Sequence, residues 1–390
     1  MDVGDLRVHN RLRLLRAVHD CAAGRTRSQL TRDLALARGT ASVLVAGLVE
    51  DELLQEAPPR EHARGRPTQV PGPHPDGPLA LAADLREDTW TIAAGELGGG
   101  SRVLATRGHD GTPGDALPSL GAALRERLGR LGPRVVGVGL SAAGPVRADG
   151  MLDISHLGWV DVDVAQALAL GDVPLLVGND ARLAGLAEAR RGHLRGVDVG
   201  LHIHVDFDPG GALLVEGRPL TGAGGTAGEF GHMPLAGGDE PCPCGARGCL
   251  SLAVGRNALL RHLGLEAGRG RGRDQAEGIV AAAAAGDPAA VAAIEANAAA
   301  LGRGIGALVN ALDPGTVTVS GIGVALVGER LRRSCDEALM ELRRRRPPAI
   351  LPSALADTGP LVGAMESVFD AFLTPDGLEI WHATRPKREM

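Results

Sequence analysis

The sequence has no tyrosine, and only 2% of its 390 residues are aromatic. Lysine occurs once, at Lys387, so arginine supplies nearly all of the basic charge. Stacking of nucleobases or sugars on aromatic rings therefore has few candidate side chains in this chain. No apolar run reaches the roughly 18 residues of a membrane-spanning helix, and the first residues lack the apolar segment of a signal peptide. We expect a cytoplasmic protein that makes no contact with a membrane.

Apolar residues are plentiful, and the charge is unevenly distributed. Hydrophobic residues make up 44% and charged residues 23% of the chain, which excludes a disordered chain or a disulfide-stapled miniprotein. The net charge of -6 divides into +2 over residues 1–70 and -8 over the remainder. A mildly basic segment on an acidic body is typical of a small DNA-binding module joined to a larger domain.

The first 70 residues contain three short helical patterns followed by an arginine-rich hairpin. Apolar residues follow helical spacing over 10–20, and Thr26-Arg-Ser-Gln29 is a capping box that opens a second helix. A third helix is predicted from Arg38 to Asp51, and two short strands flank the loop at 64–67. This order predicts a winged helix-turn-helix domain over residues 1–70. A small helical protein-interaction domain is the alternative.

A winged helix-turn-helix places its third helix in the major groove of DNA and its wing along the backbone or minor groove. The residues early in the third helix that we expect to contact DNA are Arg38, Thr40 and Ser42. Arg64 and Arg66 lie at the predicted tip of the wing, where a narrow minor groove attracts guanidinium groups.

Beyond a linker rich in proline and glycine at residues 71–78, the pattern becomes mixed α/β. The predicted buried strands are at 79–83, 135–140, 173–177 and 317–320, and helices are predicted at 181–190 and 289–312. We expect a two-lobed α/β body over residues 79–375 and a polar, solvated tail over residues 376–390.

The sharpest chemical signal is a histidine followed by three closely spaced cysteines: His232, Cys242, Cys244 and Cys249. One imidazole and three thiolates favour tetrahedral Zn²⁺, and four protein ligands leave no open position for a catalytic water. A redox Cys-x-Cys pair is the alternative. The pattern predicts one structural zinc ion per chain, which fixes the loop that begins at Glu229.

The run Gly225-Thr-Ala-Gly-Glu-Phe-Gly-His232, with the cysteines behind it, resembles the signature of the ROK family (repressors, open reading frames and sugar kinases) in its repressor branch. The resemblance extends from the predicted winged helix to near Ala364. It implies an actin-like, two-lobed ATPase fold with a sugar site between the lobes. It also implies homodimers or homotetramers that bind inverted repeats in double-stranded DNA.

The resemblance implies which residues contact the sugar. The residues that match the family's motifs are Gly144, Asn179, Asp180, Glu229 and His232. Asn179 and Asp180 are similar to the family's Asn-Asp motif, whose aspartate accepts a sugar hydroxyl and serves as the base in kinases. The alternative role for Asp180 is the N-cap of the helix at 181–190.

The two turns that bind phosphate in family kinases are altered in this chain. Where the first has glycines, this sequence reads Asp84-Leu-Arg-Glu-Asp88, and the second reads Asp206-Phe-Asp-Pro-Gly-Gly211. Backbone N–H groups cradle phosphates only where no side chain intrudes. Each carboxylate about 4 Å from a phosphate costs on the order of 1 to 4 kcal/mol. We therefore expect no ATP binding and no catalytic residue, with Asp180 retained as a vestigial base.

The sequence predicts a DNA-binding transcriptional regulator, a repressor, whose ROK domain senses a sugar or sugar derivative. The alternatives are an ATP-dependent sugar kinase with an appended DNA-binding domain and a ligand-independent regulator. Two departures leave the sugar unidentified. Ser251 stands where the family often has glutamate, and His156 stands where asparagine is common. We expect the linker at 71–78 to carry lobe closure to the winged helices.

Overall fold

The protein, seen in a computed structural model, is described over residues 3–22, 24–58, 69–266 and 272–384. It forms an N-terminal winged helix-turn-helix domain followed by an α/β body of two lobes. The fold class predicted from the sequence is confirmed. No single helix in the described ranges is long and apolar enough to cross a membrane. The helices Arg273–Ala284 and Pro288–Leu312 reach that length only as a pair, bent by 106°.

The N-terminal domain has three helices and a two-stranded ribbon: α1 (Val3–Asp20), α2 (Arg27–Asp33), α3 (Arg38–Glu50), β1 (Leu54–Ala57) and β2 (Val70–Pro73). The predicted capping box is present at the start of α2. The N–H of Gln29 donates to Thr26 Oγ1, and the N–H of Thr26 donates to Gln29 Oε1 at 2.8 Å. Leucines and valines of α1 and α3 fill the small core.

The predicted linker is shorter than residues 71–78. Pro71 and Pro73 lie in β2, which pairs antiparallel with β1, and only residues 74–78 connect the domains. Both strands of a two-stranded ribbon are edges, so proline is tolerated there. The connection is also held in place, because Arg134 of the body donates to the carbonyl oxygens of Pro75 and Gly77 at 2.6 and 3.1 Å.

The first lobe is built on a five-stranded sheet in the order β5-β4-β3-β6-β9. Its strands are β3 (Leu79–Leu85), β4 (Thr89–Glu96), β5 (Ser101–Gly108), β6 (Val135–Ala142) and β9 (Leu175–Asn179), with a small ribbon of β7 (Met151–Ile154) and β8 (Trp159–Asp163). Its helices are α4 (Pro113–Leu131) and α5 (Val164–Leu168), and α6 (Asp180–Arg191) lies between the two lobes. The chain returns to this lobe at its end with α12 (Gly359–Phe372) and α13 (Pro375–Thr384).

The second lobe repeats the same sheet topology in the order β12-β11-β10-β13-β14. Its strands are β10 (Val199–Val205), β11 (Pro209–Val215), β12 (Arg218–Pro219), β13 (Thr316–Gly321) and β14 (Ala349–Pro352). Its helices are α7 (Arg256–His262), α8 (Arg273–Ala284), α9 (Pro288–Leu312), α10 (Glu329–Ala338) and α11 (Glu341–Arg344). In both lobes the first two strands form an antiparallel hairpin, and the first strand pairs in parallel with the fourth strand of its sheet.

Residues 376–384 do not form the polar tail that we expected. They belong to α13, where Trp381 is 2% exposed and packs edge-on against Phe372 with ring centroids 6.0 Å apart. Trp381 Nε1 also donates to the carbonyl oxygen of Asp51 at 2.9 Å, so the last helix holds the winged helix domain to the body. The expectation for residues 385–390 lies outside the described residues.

A buried polar network joins α1 to the first lobe. His19 is fully buried, and its Nδ1 accepts the N–H of Gly98 at 3.0 Å. Its Nε2 lies 2.9 Å from Glu366 Oε2 and 2.8 Å from Arg191 Nη2. The other carboxylate oxygen of Glu366 pairs with Arg191 Nε at 2.8 Å, and Arg191 also donates to the carbonyl oxygen of His19. His19 of the N-terminal domain thus contacts the ion pair that joins Arg191 of α6 to Glu366 of α12.

Candidate functional site

A cavity of about 290 Å³ lies between the two lobes. It is lined by all five residues that the ROK resemblance assigns to the sugar: Gly144, Asn179, Asp180, Glu229 and His232. Its volume is at the lower end of small-molecule pockets, which suits a ligand of monosaccharide size. Gly144 is required by close packing, because a Cβ at this position would lie 2.7 Å from the carbonyl oxygen of Asp153.

Asn179 and Asp180 are held at the start of α6. Asn179 is the N-cap, since its Oδ1 accepts the N–H of Arg182 at 3.0 Å. The alternative role of Asp180 as the cap is therefore wrong. The Asn179 amide donates to Asp180 Oδ1 at 3.0 Å and to the carbonyl oxygen of Gly144 at 3.2 Å. These bonds fix the orientation of the Asp180 carboxyl group at the edge of the cavity.

The surroundings of Asp180 are strongly acidic. Burial, together with the negative charge of Glu87, raises the pKa of Asp180 well above its ordinary value. His204, on β10 of the second lobe, places its Nε2 3.8 Å from Asp180 Oδ2. The carboxyl group can accept hydrogen bonds from a hydroxyl-rich ligand, and it lies at the junction of both lobes.

His232, Cys242, Cys244 and Cys249 come together as the sequence predicts, with their ligand atoms all within 4.8 Å of one another. Cys242 Sγ lies 3.8 Å from His232 Nδ1, and Cys244 Sγ lies 3.8 Å from Cys249 Sγ. A tetrahedral ion with Zn–S bonds of about 2.3 Å separates its sulfur ligands by about 3.8 Å. Gly248 allows the turn with φ of +66°. This group can hold a metal ion.

The metal group and the cavity share His232. Its Nδ1 faces the thiols, whereas its Nε2 lies 3.9 Å from Glu229 Oε2. Burial raises the pKa of Glu229 to about 7, although the positive charge of Arg182 opposes the shift. The loop that carries both cavity residues is therefore fixed by the same side chain that completes the cysteine group.

The two turns that resemble phosphate loops face each other across the cleft and are bridged by arginines. We call Arg86, Arg256 and Arg273 the arginine cluster. Arg273 Nη1 lies 3.1 Å from Asp206 Oδ2 in the β10–β11 turn, and its Nε lies 3.1 Å from Asp88 Oδ2 in the β3–β4 turn. Its guanidinium carbon lies 5.2 Å from the ring centroid of Phe207.

Of the other two members of the arginine cluster, Arg256 neutralises Asp206 as well, and Arg86 neutralises Asp84 of the β3–β4 side. Arg256 Nε pairs with Asp206, and Arg86 Nε pairs with Asp84 Oδ2 at 2.7 Å. Burial opposes ionisation of Asp206, but Arg273 and Arg256 hold its pKa at about 2. The sequence predicted bare carboxylates that repel a triphosphate. The structure adds guanidinium groups that bind these carboxylates and join the two lobes.

The predicted DNA contacts are distributed between α3 and the wing. Arg38, Thr40 and Ser42 are exposed on α3, where the Ser42 hydroxyl donates to the carbonyl oxygen of Arg38 at 3.1 Å. Arg64 and Arg66 lie outside the described residues.

Sequence reasoning missed the arginine cluster, His204 and the His19–Glu366–Arg191 network. One signal was available, because buried carboxylates are almost never left without a cation. The acidic residues in both turns therefore called for basic partners. Their identity depends on tertiary packing, since Arg273 lies 185 residues from Asp88.

Residues 110–370 match the ROK family. A glucokinase of Halalkalibacterium halodurans is 28% identical over 263 residues, which are 63% of this chain and 75% of that protein. The xylose repressor of Bacillus subtilis is 23% identical over 244 residues, 61% of this chain and 62% of that protein. The relatives of this chain thus include both sugar kinases and repressors.

Two solved structures agree with the fold. A ROK family glucokinase from Streptomyces griseus, in complex with glucose and AMPPNP, has a TM-score of 0.65 at 26% identity and covers 75% of this chain and 99% of its own. A ROK family transcriptional regulator, a homologue of the E. coli MLC protein, has a TM-score of 0.73 at 24% identity. That match shows the fold over 96% of this chain and 99% of the regulator, the N-terminal domain included. The chain belongs to the ROK family.

Proposed function

We propose that this protein is a cytoplasmic transcriptional regulator, a repressor, that binds double-stranded DNA through its winged helix domain and senses a small carbohydrate in the cleft between its lobes. It acts as a homodimer or homotetramer on an inverted repeat. It does not phosphorylate its ligand. The observation that carries this proposal is the arginine cluster at the two degenerate phosphate turns.

The arginine cluster favours a regulator over a kinase for two reasons. A nucleotide triphosphate needs open backbone N–H groups and a magnesium ion at these turns. Here the turns present Asp88 and Asp206, and the guanidinium of Arg273 lies between them. A nucleotide would have to displace a half-buried, paired arginine and would then face its carboxylates.

Helix α6 supplies a direct route from the cavity to the DNA-binding domain. It begins at Asp180 in the cavity and ends at Arg191, which contacts His19 of α1. A helix of 12 residues is about 18 Å long and transmits a shift of one end to the other. A ligand that favours one lobe arrangement would therefore change the position of α1. This contact, rather than the short connection at 74–78, is the proposed coupling element.

The cysteine and histidine group is proposed to hold one structural zinc ion. We expect one zinc per purified chain by mass spectrometry and near zero for Cys242→Ser, with a lower melting temperature, because a thiolate ligand is lost. Cys335→Ser is the matched control, since Cys335 is a buried cysteine outside the group. Equal zinc content in wild type and Cys242→Ser would contradict the assignment.

The DNA-binding role is tested by recovering and sequencing the genomic fragments that the tagged full chain retains at low salt. We expect an enriched inverted repeat beside carbohydrate transport or catabolism genes. Each base contact that is lost costs about 1 to 3 kcal/mol of binding free energy. The Arg38→Ala variant should therefore bind that repeat at least about tenfold more weakly than the wild type. Arg345→Ala, which changes an exposed arginine of the body, should bind normally. Absence of enrichment, together with ADP release on a hexose panel, would instead favour the sugar kinase.

A further inference from the structure

Four polar side chains other than the five residues that the resemblance assigns to the sugar meet at one corner of the cavity: Glu87, His156, Asp208 and Asn257. They come from both lobes, since Glu87 lies in the β3–β4 turn and Asp208 in the β10–β11 turn. His156 Nε2 lies 3.4 Å from Glu87 Oε1, and its Nδ1 lies 3.8 Å from Asp208 Oδ2. The Asn257 amide donates to Asp208 Oδ1 at 3.5 Å.

Among the described residues, this corner contains buried polar atoms of both kinds whose hydrogen bonds are incomplete: the acceptors Glu87 Oε2 and Asn257 Oδ1, and His156 Nε2. Glu87 and Asn257 are 4% and 5% exposed. Within the described part of the chain, neither Glu87 Oε2 nor Asn257 Oδ1 has a hydrogen-bond donor. The nearest cation to Glu87 Oε2 is Arg273, whose Nη2 is 3.6 Å away. Buried acceptors of this kind are normally satisfied, so they point to a ligand that donates.

The carboxyl groups that line the cavity differ in their partners. Five carboxylate side chains line the cavity: Glu87, Asp180, Asp206, Asp208 and Glu229. Arg256 and Arg273 neutralise Asp206, and Arg273 also reaches Glu87. Among the described residues, histidines alone form ion pairs with the other three: Asp180, Asp208 and Glu229. Burial raises the pKa of Glu87, Asp180 and Glu229, which suppresses part of their charge, and Arg261 also lines the cavity. Asp208 is therefore the carboxylate where a ligand cation is favoured, because its neighbours among the described residues are His156 and Asn257 rather than an arginine.

We propose that the effector is an amino sugar whose protonated amine binds Asp208, with Glu87 and Asn257 as further acceptors. An ammonium group offers three donors and no acceptor, whereas a hydroxyl offers one donor and two acceptors. Hydrogen bonds between charged groups are also shorter and stronger than neutral ones. The proposal rests on the sugar-sensing role above and specifies the chemical class of the ligand.

The burial and neighbours of His156 agree with this assignment. Burial lowers the pKa of the imidazole, but the hydrogen bond and charge of Glu87 and the charge of Asp208 outweigh burial and raise it. The corner therefore stabilises a positive charge on a group that already lies in it. A ligand ammonium binds Asp208 only when His156 is neutral, because an imidazolium whose Nδ1 lies 3.8 Å from Asp208 Oδ2 would repel it.

The test is calorimetric titration of the full chain with glucose and with its 2-amino-2-deoxy, 3-amino-3-deoxy and 6-amino-6-deoxy analogues, each differing by one group. We expect at least one amine to bind about tenfold more tightly than glucose, because a charge-assisted hydrogen bond replaces a neutral one. N-acetylglucosamine and glucosamine 6-phosphate should bind more weakly than glucosamine. Equal or tighter binding of glucose would overturn the proposal and leave sugar sensing intact.

Asp208→Asn tests the residue itself. Asparagine keeps the size of the side chain and removes its charge, so the preference for the amine over glucose should fall about tenfold, while glucose affinity changes much less. Asp149→Asn, an exposed aspartate outside the cavity, is the control and should keep the preference. A preference that survives Asp208→Asn would overturn the assignment. The absence of binding by every sugar of the panel would also overturn the proposal. DNA binding by the same preparation then shows whether the proposed regulatory function is wrong as well.

Discussion

Glu366→Gln is expected to weaken the attachment of the winged helix domain and to abolish the effect of the ligand on DNA affinity. Glu366 is 1% exposed and accepts from both His19 and Arg191. Glutamine has the same shape, but it leaves the Arg191 guanidinium without a counter-charge and presents an amide to His19. Breaking a buried ion pair by removing one partner costs on the order of 3 to 5 kcal/mol. Urea unfolding of the full chain measures this loss.

The charge state of Glu366 determines the pH range in which its ion pair contributes to the free energy of unfolding. Burial opposes ionisation, but His19 and Arg191 lower the pKa of Glu366 from 4.5 to about 2. A carboxyl group with a lowered pKa in the folded state contributes stability above its unfolded pKa and loses it as the pH falls. The stability difference between wild type and Glu366→Gln should therefore be complete above pH 4.5 and shrink toward pH 2.

Asp370→Asn is the control for Glu366→Gln. Asp370 pairs with Arg16 of α1 at 2.6 Å and with Arg190 of α6 at 3.0 Å, at the same domain boundary. Its side chain is 31% exposed, and pairs of this kind contribute up to about 1 kcal/mol. We expect a small loss of stability and a retained ligand response. A ligand response that Glu366→Gln keeps unchanged would contradict α6 as the coupling element.

Arg273→Ala is expected to lower the free energy of unfolding by on the order of 3 to 5 kcal/mol without creating ATP binding. Removing the Arg273 guanidinium takes a cation away from three neighbouring carboxylates, those of Glu87, Asp88 and Asp206. Among the described residues, Arg256 then remains as the guanidinium that contacts Asp206. The carboxylates then repel each other and a triphosphate alike. Thermal unfolding and titration with magnesium AMPPNP measure the two effects.

Arg273→Lys separates charge from geometry. Lysine keeps the positive charge but is a point donor that cannot contact Asp88 and Asp206 in the two-sided manner of a guanidinium. Its stability should fall between those of wild type and Arg273→Ala. Nucleotide binding by Arg273→Ala would show that the turns are a blocked phosphate site rather than a lost one, and would contradict the proposed absence of kinase activity.

Local signals allowed much of the fold and half of the site to be predicted. The capping box at Thr26, the zinc-type spacing at 232–249 and the Asn179-Asp180 motif are each contained in a short stretch of chain. Neighbours in sequence determine their geometry, so pattern and chemistry suffice.

The predictions that were wrong or missing depend on contacts between distant residues. His19 and Glu366 are 347 positions apart, and neither is marked by its neighbours. The end of the chain was predicted as a polar tail because its large apolar residues, Leu378, Ile380 and Trp381, are few in a polar stretch. The pocket that buries Trp381 is made by Phe372 and the N-terminal domain. Residues 71–73 were predicted as linker because proline rarely continues a strand, whereas they extend the edge strand that pairs with Leu54–Ala57.

The central claim is that a ligand in the lobe cleft changes the affinity of the winged helix domain for DNA. Fluorescence anisotropy of the full chain with its selected DNA repeat tests this claim, in the presence and absence of each sugar that calorimetry shows to bind. We predict a change in the DNA dissociation constant of about 5- to 150-fold, the usual range for allosteric coupling. An identical dissociation constant with every bound sugar would contradict the account.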